Sequence, residues 1–137
     1  DPAVAEALLE AGALGQLRET VVTAAEKLLT GDLLSVLEAA ELLAGCGDDL
    51  ENGLLILDAL WRDLCLRQRG IAGGVAYKAD LDDGLVRLAA GKSINLEALL
   101  ALSARWREAL AARVGRQLAC DAFCLKMAAV LAGRERS

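Results

Sequence analysis

Apolar residues recur along this chain every three to four positions, the period of an α-helix with one buried face, and no segment alternates cleanly as a half-buried strand would. Asp1 and Pro2 open a short predicted helix through residue 9: a side-chain cap, then a proline where its missing N–H costs nothing. Gly12 and Gly15 are expected to break it. A second helix follows over residues 16–29, with Leu17, Val21, Ala24 and Leu28 on one side, stopped by Gly31. Asp32 caps a third, residues 33–44, which ends at Gly45-Cys46-Gly47. Asp48 is read as the cap of a fourth helix reaching residue 69, with Glu51 completing a capping box. Residues 70–80 form the one long irregular stretch. A short helix over 81–90 ends at Gly91, Asn95 caps a long helix over 96–114, and after Gly115 a last helix spans 117–132. Short breaks between such helices make neighbours antiparallel. The expectation is an all-α fold, a compact antiparallel bundle of five to six helices.

The fourth segment stands apart. Leu50, Leu54, Leu57, Trp61 and Leu64 form one stripe, and Leu55, Ile56, Leu60 and Leu66 widen it past half the circumference. A helix apolar on so much of its surface is either central or partnered on its second face. Composition agrees with a helical core built without aromatic bulk: 55% of the 137 residues are hydrophobic but only 3% are aromatic, and Pro2 is the lone proline. That length suits one domain able to bury a core without a metal or disulfide. Mean hydropathy is high, +0.39, yet charged residues interrupt every apolar run before it could cross a membrane. The excess is expected in a thick core or on a partner surface.

Charge narrows the function classes further. The net charge of −5 argues against a nucleic-acid grip, although Arg105, Arg107, Arg113, Arg116, Arg134 and Arg136 make the C-terminal third locally basic. Cys46, Cys65, Cys120 and Cys124 sit within apolar helical patterns and read as reduced, buried thiols of a cytoplasmic protein. No secretory leader is visible, and a start at Asp1 reads as a piece of a longer protein.

Each candidate for chemistry has a plainer account. Gly91-Lys92-Ser93 matches the end of a phosphate-loop pattern, but Val86 stands where its first glycine belongs and a helix, not a strand, precedes it. Asp80, Asp82 and Asp83 could hold a divalent ion; at the start of a helix they serve its positive end. Cys120 and Cys124 lie one turn apart, but no histidine exists to complete a zinc site or activate a cysteine nucleophile. The expectation is no catalytic residue, no metal and no cofactor. Trp61 and Trp106 each sit among charges, in Trp61-Arg62-Asp63 and Arg105-Trp106-Arg107. They fit either a core or an interface hot spot.

The stretch from Leu54 to Gly70, containing Trp61-Arg62-Asp63-Leu64, resembles the central collar helix of delta-prime subunits of the bacterial DNA polymerase III clamp loader. The segment from Asn95 to Val114 is similar to the long helix that follows in that family. Gly12-Ala13-Leu14-Gly15-Gln16-Leu17 resembles the end of the preceding lid, with Gln16 in place of the usual arginine. Val114-Gly115-Arg116-Gln117-Leu118 fills the place of a break that often carries Asn-Pro in the family. Trp61-Arg62-Asp63-Leu64 favours delta-prime over the ATP-hydrolysing subunits. The resemblance implies residues 1–30 as the end of an AAA+ lid and first collar helix, and residues 31–137 as the C-terminal collar domain. It implies an oligomerisation role without chemistry of its own. Partners would be the other clamp-loader subunits and, indirectly, the sliding clamp and primed DNA, with no membrane and no direct nucleic-acid contact. Trp61, Arg62, Arg67, Arg105, Trp106 and Phe123 are the candidate interface residues, on the second face of the fourth helix and on the last two helices. An unrelated helical adaptor, or a small enzyme using Asp80, Asp82 and Asp83, are the competing readings.

Overall fold

The computed structural model describes residues 1–70 and 83–134, and among them the chain is all-helical. The described residues form six α-helices: α1 (Pro2–Thr30), α2 (Leu33–Ala44), α3 (Leu50–Gln68), α4 (Asp83–Ala89), α5 (Leu96–Ala111) and α6 (Arg116–Leu131). α1 packs along α2 and also touches α3, α4 and α6; α6 closes the body against α2 and α5. The expected helical bundle is therefore present.

α1 corrects the sequence reading. The Asp1 carboxylate accepts the Ala3 N–H at 3.0 Å, Pro2 follows, and one helix runs unbroken to Thr30, where Gly31 takes a left-handed φ of 81°. Gly12 and Gly15 lie inside it. Each costs roughly 1 kcal/mol against alanine, but breaking the helix would require a second unfavourable nucleation, and the neighbouring Ala and Leu residues propagate well.

The entry to α3 is a second correction. Asp48 makes no capping box. A 3-10 turn, Gly47–Asp49, leads directly into α3, with the Asp49 N–H donated to the Cys46 carbonyl and the Leu50 N–H to Gly47. Backbone carbonyls thus occupy donors that a cap would serve, and the exposed Asp48 instead meets Arg116 at 3.3 Å. Asn95 does cap α5, accepting the Ala98 N–H at 3.1 Å. α5 stops earlier than expected: Arg113 adopts φ 62°, and the Val114 N–H reaches back to the Ala109 carbonyl. A left-handed closure of this kind is usually given to glycine.

α3 is the central element. Leu50, Leu54, Leu57, Leu60, Trp61 and Leu64 are all essentially inaccessible, and of its large aliphatic side chains only Leu55 is exposed. The second apolar face is covered by the bundle itself. Gly53 lets α1 approach: a Cβ there would lie 3.5 Å from Val21 and 3.6 Å from Leu17. Trp106 stacks on Phe123 with ring centroids 5.7 Å apart, tying α5 to α6. Across α3 and α5, the buried Asp58 carboxylate accepts from Arg107 at 3.1 Å, and Arg107 also reaches the Ser103 hydroxyl at 3.3 Å.

Candidate functional site

The Gly91-Lys92-Ser93 motif is a turn between two helices. Gly91 ends α4 with φ 79°, and the Gln68 side-chain amide of α3 donates to the carbonyls of Ala89 and Lys92 at 2.9 and 3.0 Å. The Gly91-Lys92-Ser93 turn is therefore pinned by its carbonyls, and Asn95 rather than Ser93 opens the next helix. Asp83 begins α4, exposed; Asp80 and Asp82 lie outside the described residues.

Cys65, Cys120 and Cys124 are buried, and Cys46 half-buried, as free thiols. Burial pushes the Cys120 thiol up to about 12, with Asp121 adding to the effect, and drives Cys124 upward for the same leading reason. Cys46 and Cys65 are raised by burial as well. Thiols held protonated are poor nucleophiles and poor ligands. Among the described residues no three His, Cys, Asp or Glu side chains are grouped to hold a metal. None of their helices is long and apolar enough to cross a membrane.

One buried carboxylate has no hydrogen-bond partner. Asp63 on α3 is 2% exposed and neither oxygen is bonded. Burial raises its pKa, opposed by the charges of Arg67 and Arg18. An ionised group in such a place is destabilising rather than idle.

The predicted interface residues divide. Arg62, Arg67 and Arg105 are exposed, and Phe123 is half-buried under Lys126, whose ammonium lies 5.5 Å from the ring centre. Trp61 and Trp106, by contrast, are wholly buried in the chain's own core, so neither indole is on a surface that a partner could touch. The physical cause is that α3 and α5 sit inside the bundle and the widest side chains fill the space between helices.

Exposed apolar side chains do exist, but chiefly elsewhere. Val4, Leu8, Leu9 and Leu14 lie on α1 and Leu33, Leu34 and Leu37 on α2, whereas α6 shows Leu118 and Leu125. Every residue from 1 to 16 is exposed, so the first half of α1 projects from the body. At 1.5 Å per residue that projection is about 22 Å long. Ala7, Leu14, Val21 and Leu28 recur every seven residues on nearly the same side of the helix. The stripe buried at Val21 and Leu28 thus continues, uncovered, through Leu14 and Ala7. Leu9 faces another way and is 73% exposed, so the projecting half is apolar on more than one side. A helix of this length has little stability alone in water. The heptad spacing was visible in the sequence; the expected break at Gly12 and Gly15 concealed it.

Beside this projection, between α1 and α2, lies an open groove of about 750 Å³ lined by Gln16, Leu17, Thr20, Glu38, Glu41 and Leu42 among others. The Thr20 and Thr23 hydroxyls donate to the Gln16 and Glu19 carbonyls of their own helix. Lys27 pairs with Glu38 across it at 3.7 Å. The groove offers shape, apolar surface and acid. No family model, curated protein or solved structure matches the chain.

Proposed function

We propose that this chain is a non-catalytic assembly domain, of the collar type found in delta-prime subunits of the bacterial DNA polymerase III clamp loader. In that role it joins other loader subunits in the cytoplasm, holding together a ring that places the sliding clamp on primed DNA with ATP. The observation that carries the assembly role is apolar surface left outside a bundle whose core is already full: Leu8 and Leu9 are 69% and 73% exposed while Trp61 and Trp106 are fully enclosed. Water-exposed leucines on a projecting helix are a standing cost that a partner removes. The choice of this partner class rests on the resemblance of Leu54–Gly70 and Asn95–Val114 to the collar helices, in that order along the chain.

Size-exclusion chromatography with the purified ATP-hydrolysing and delta subunits of a bacterial clamp loader, at low salt, tests the reading. A joint peak is expected; separate elution at micromolar concentrations refutes it. A second reading is a helical adaptor unrelated to clamp loaders. It is favoured by the position of the exposed leucines, on α1 and α2 rather than on the helices that carry the resemblance.

A further inference from the structure

We propose that the outer face of the α1–α2 hairpin, including the projecting half of α1, docks a basic amphipathic helix from a partner protein. This goes beyond the assembly reading, does not depend on it, and names the chemistry of the occupant.

The occupant follows from charge. Residues 1–49 contain ten acidic side chains and two basic ones, Arg18 and Lys27, a net −8; residues 50–137 contain ten acidic and thirteen basic, a net +3. The acidity of the whole chain is thus concentrated in α1, α2 and the turn after them. No lysine or arginine occurs before Arg18, so the projecting half of α1 bears Glu6 and Glu10 with no side-chain cation. In the groove, Glu38, Glu41 and Asp49 outnumber Lys27, which is already paired with Glu38. Apolar side chains run through this acid: Leu17 from α1 and Leu42 from α2 line the groove, and Leu9 lies beyond it on the projecting half of α1.

The shape follows from the helices. A cleft between two antiparallel helices, extended along one wall by about 22 Å of projecting α1, matches a partner helix of roughly 15 residues. Its apolar face would lie on the leucines and its lysines or arginines would meet the flanking carboxylates. A second copy of the hairpin would bring acid against acid. Phosphate-rich surfaces, whether lipid or nucleic acid, are repelled for the same reason. A cationic amphipathic helix satisfies both the apolar and the electrostatic requirement.

The test uses the whole chain and three synthetic peptides of about 18 residues each, long enough to span the projecting half of α1. One is a leucine-faced helix flanked by lysines. The second has the same leucine face flanked by glutamates, and the third is a scramble of the first without an apolar face. Isothermal titration is expected to show one-to-one binding of the first peptide, and affinities lower by about tenfold or more for the other two. The double charge reversal Glu38→Lys with Glu41→Lys, at exposed positions, is expected to weaken the first peptide by about tenfold or more, and Leu9→Ala with Leu42→Ala by a similar factor. Glu108→Lys, exposed on α5, should leave binding unchanged. Melting curves establish that each variant is folded. Equal binding of the scramble, or insensitivity to both double variants, overturns the proposal. So does sedimentation showing that the chain covers this face by self-association.

Discussion

Removing the Arg107 guanidinium while keeping most of its stem, as Arg107→Met does, tests whether α3 and α5 are held in register by a buried charge pair. Asp58 is 5% exposed and accepts from Arg107 at 3.1 Å; its other oxygen has no hydrogen-bond partner. Without the guanidinium, a carboxylate already short of hydrogen bonds is left in the core with its cation gone. Breaking a fully buried pair from one side costs about 3–5 kcal/mol. The Arg107 side chain retains 29% of its exposure, so part of that cost is relieved by water. We expect a loss of about 2–3 kcal/mol, or roughly 6–10 °C in Tm for a domain of this size. Chemical denaturation followed by circular dichroism measures it. Asp58→Asn should be the milder change, and the double variant should recover about 1–2 kcal/mol relative to the sum of the singles, because it leaves no lone charge inside. The effect should persist in high salt, which screens buried pairs weakly. A loss under about 0.5 kcal/mol for Arg107→Met, or strict additivity in the cycle, would refute the reasoning.

Three further outcomes are expected. Gly12→Ala combined with Gly15→Ala should stabilise the projecting half of α1 by about 1–2 kcal/mol against local unfolding, since a Cβ at either position meets nothing within 4 Å and helix propensity improves; no increase in amide-exchange protection over residues 2–16 would mean that α1 is not helical there. Arg113→Gly should stabilise by up to about 1 kcal/mol by relieving the left-handed φ of 62°, and unchanged or lower stability in urea would count against the turn as described. Asp63→Asn should stabilise the chain at neutral pH, with a gain that shrinks in acid. Because burial raises the folded-state pKa above its ordinary 3.8, the wild type is free of the penalty below that value and loses stability as pH rises through the folded pKa. A difference between the two proteins that does not vary with pH across that window contradicts the burial of a charge.

Much of the fold could be read from the chain because local chemistry and tertiary packing agree there. Asp32 before Leu33 and Asn95 before Leu96 each accept the backbone N–H that an N-cap should, and Gly31 and Gly91 take the positive φ that ends a helix. Where the reading failed, a longer-range effect prevailed over a local rule. Two glycines did not break α1 because continuing a formed helix costs less than starting another. Asp48 did not cap α3 because a 3-10 turn had already supplied the carbonyls.

The pattern of apolar spacing was enough to specify helices, their approximate ends and a central α3, since each depends on neighbours within a few residues. It could not say which apolar stripes would be covered, because that depends on which helices meet. Trp61 and Trp106, candidates for an interface by residue type, are enclosed within the bundle, while Leu8, Leu9 and Leu14 lie uncovered on the half of α1 that projects from it. The same holds for charge: the acidity of residues 1–49 is legible in the chain, but which of its carboxylates line one groove is decided only by the packing of α1 on α2. Burial and surface are properties of contacts between distant residues, and no periodicity within one helix encodes them.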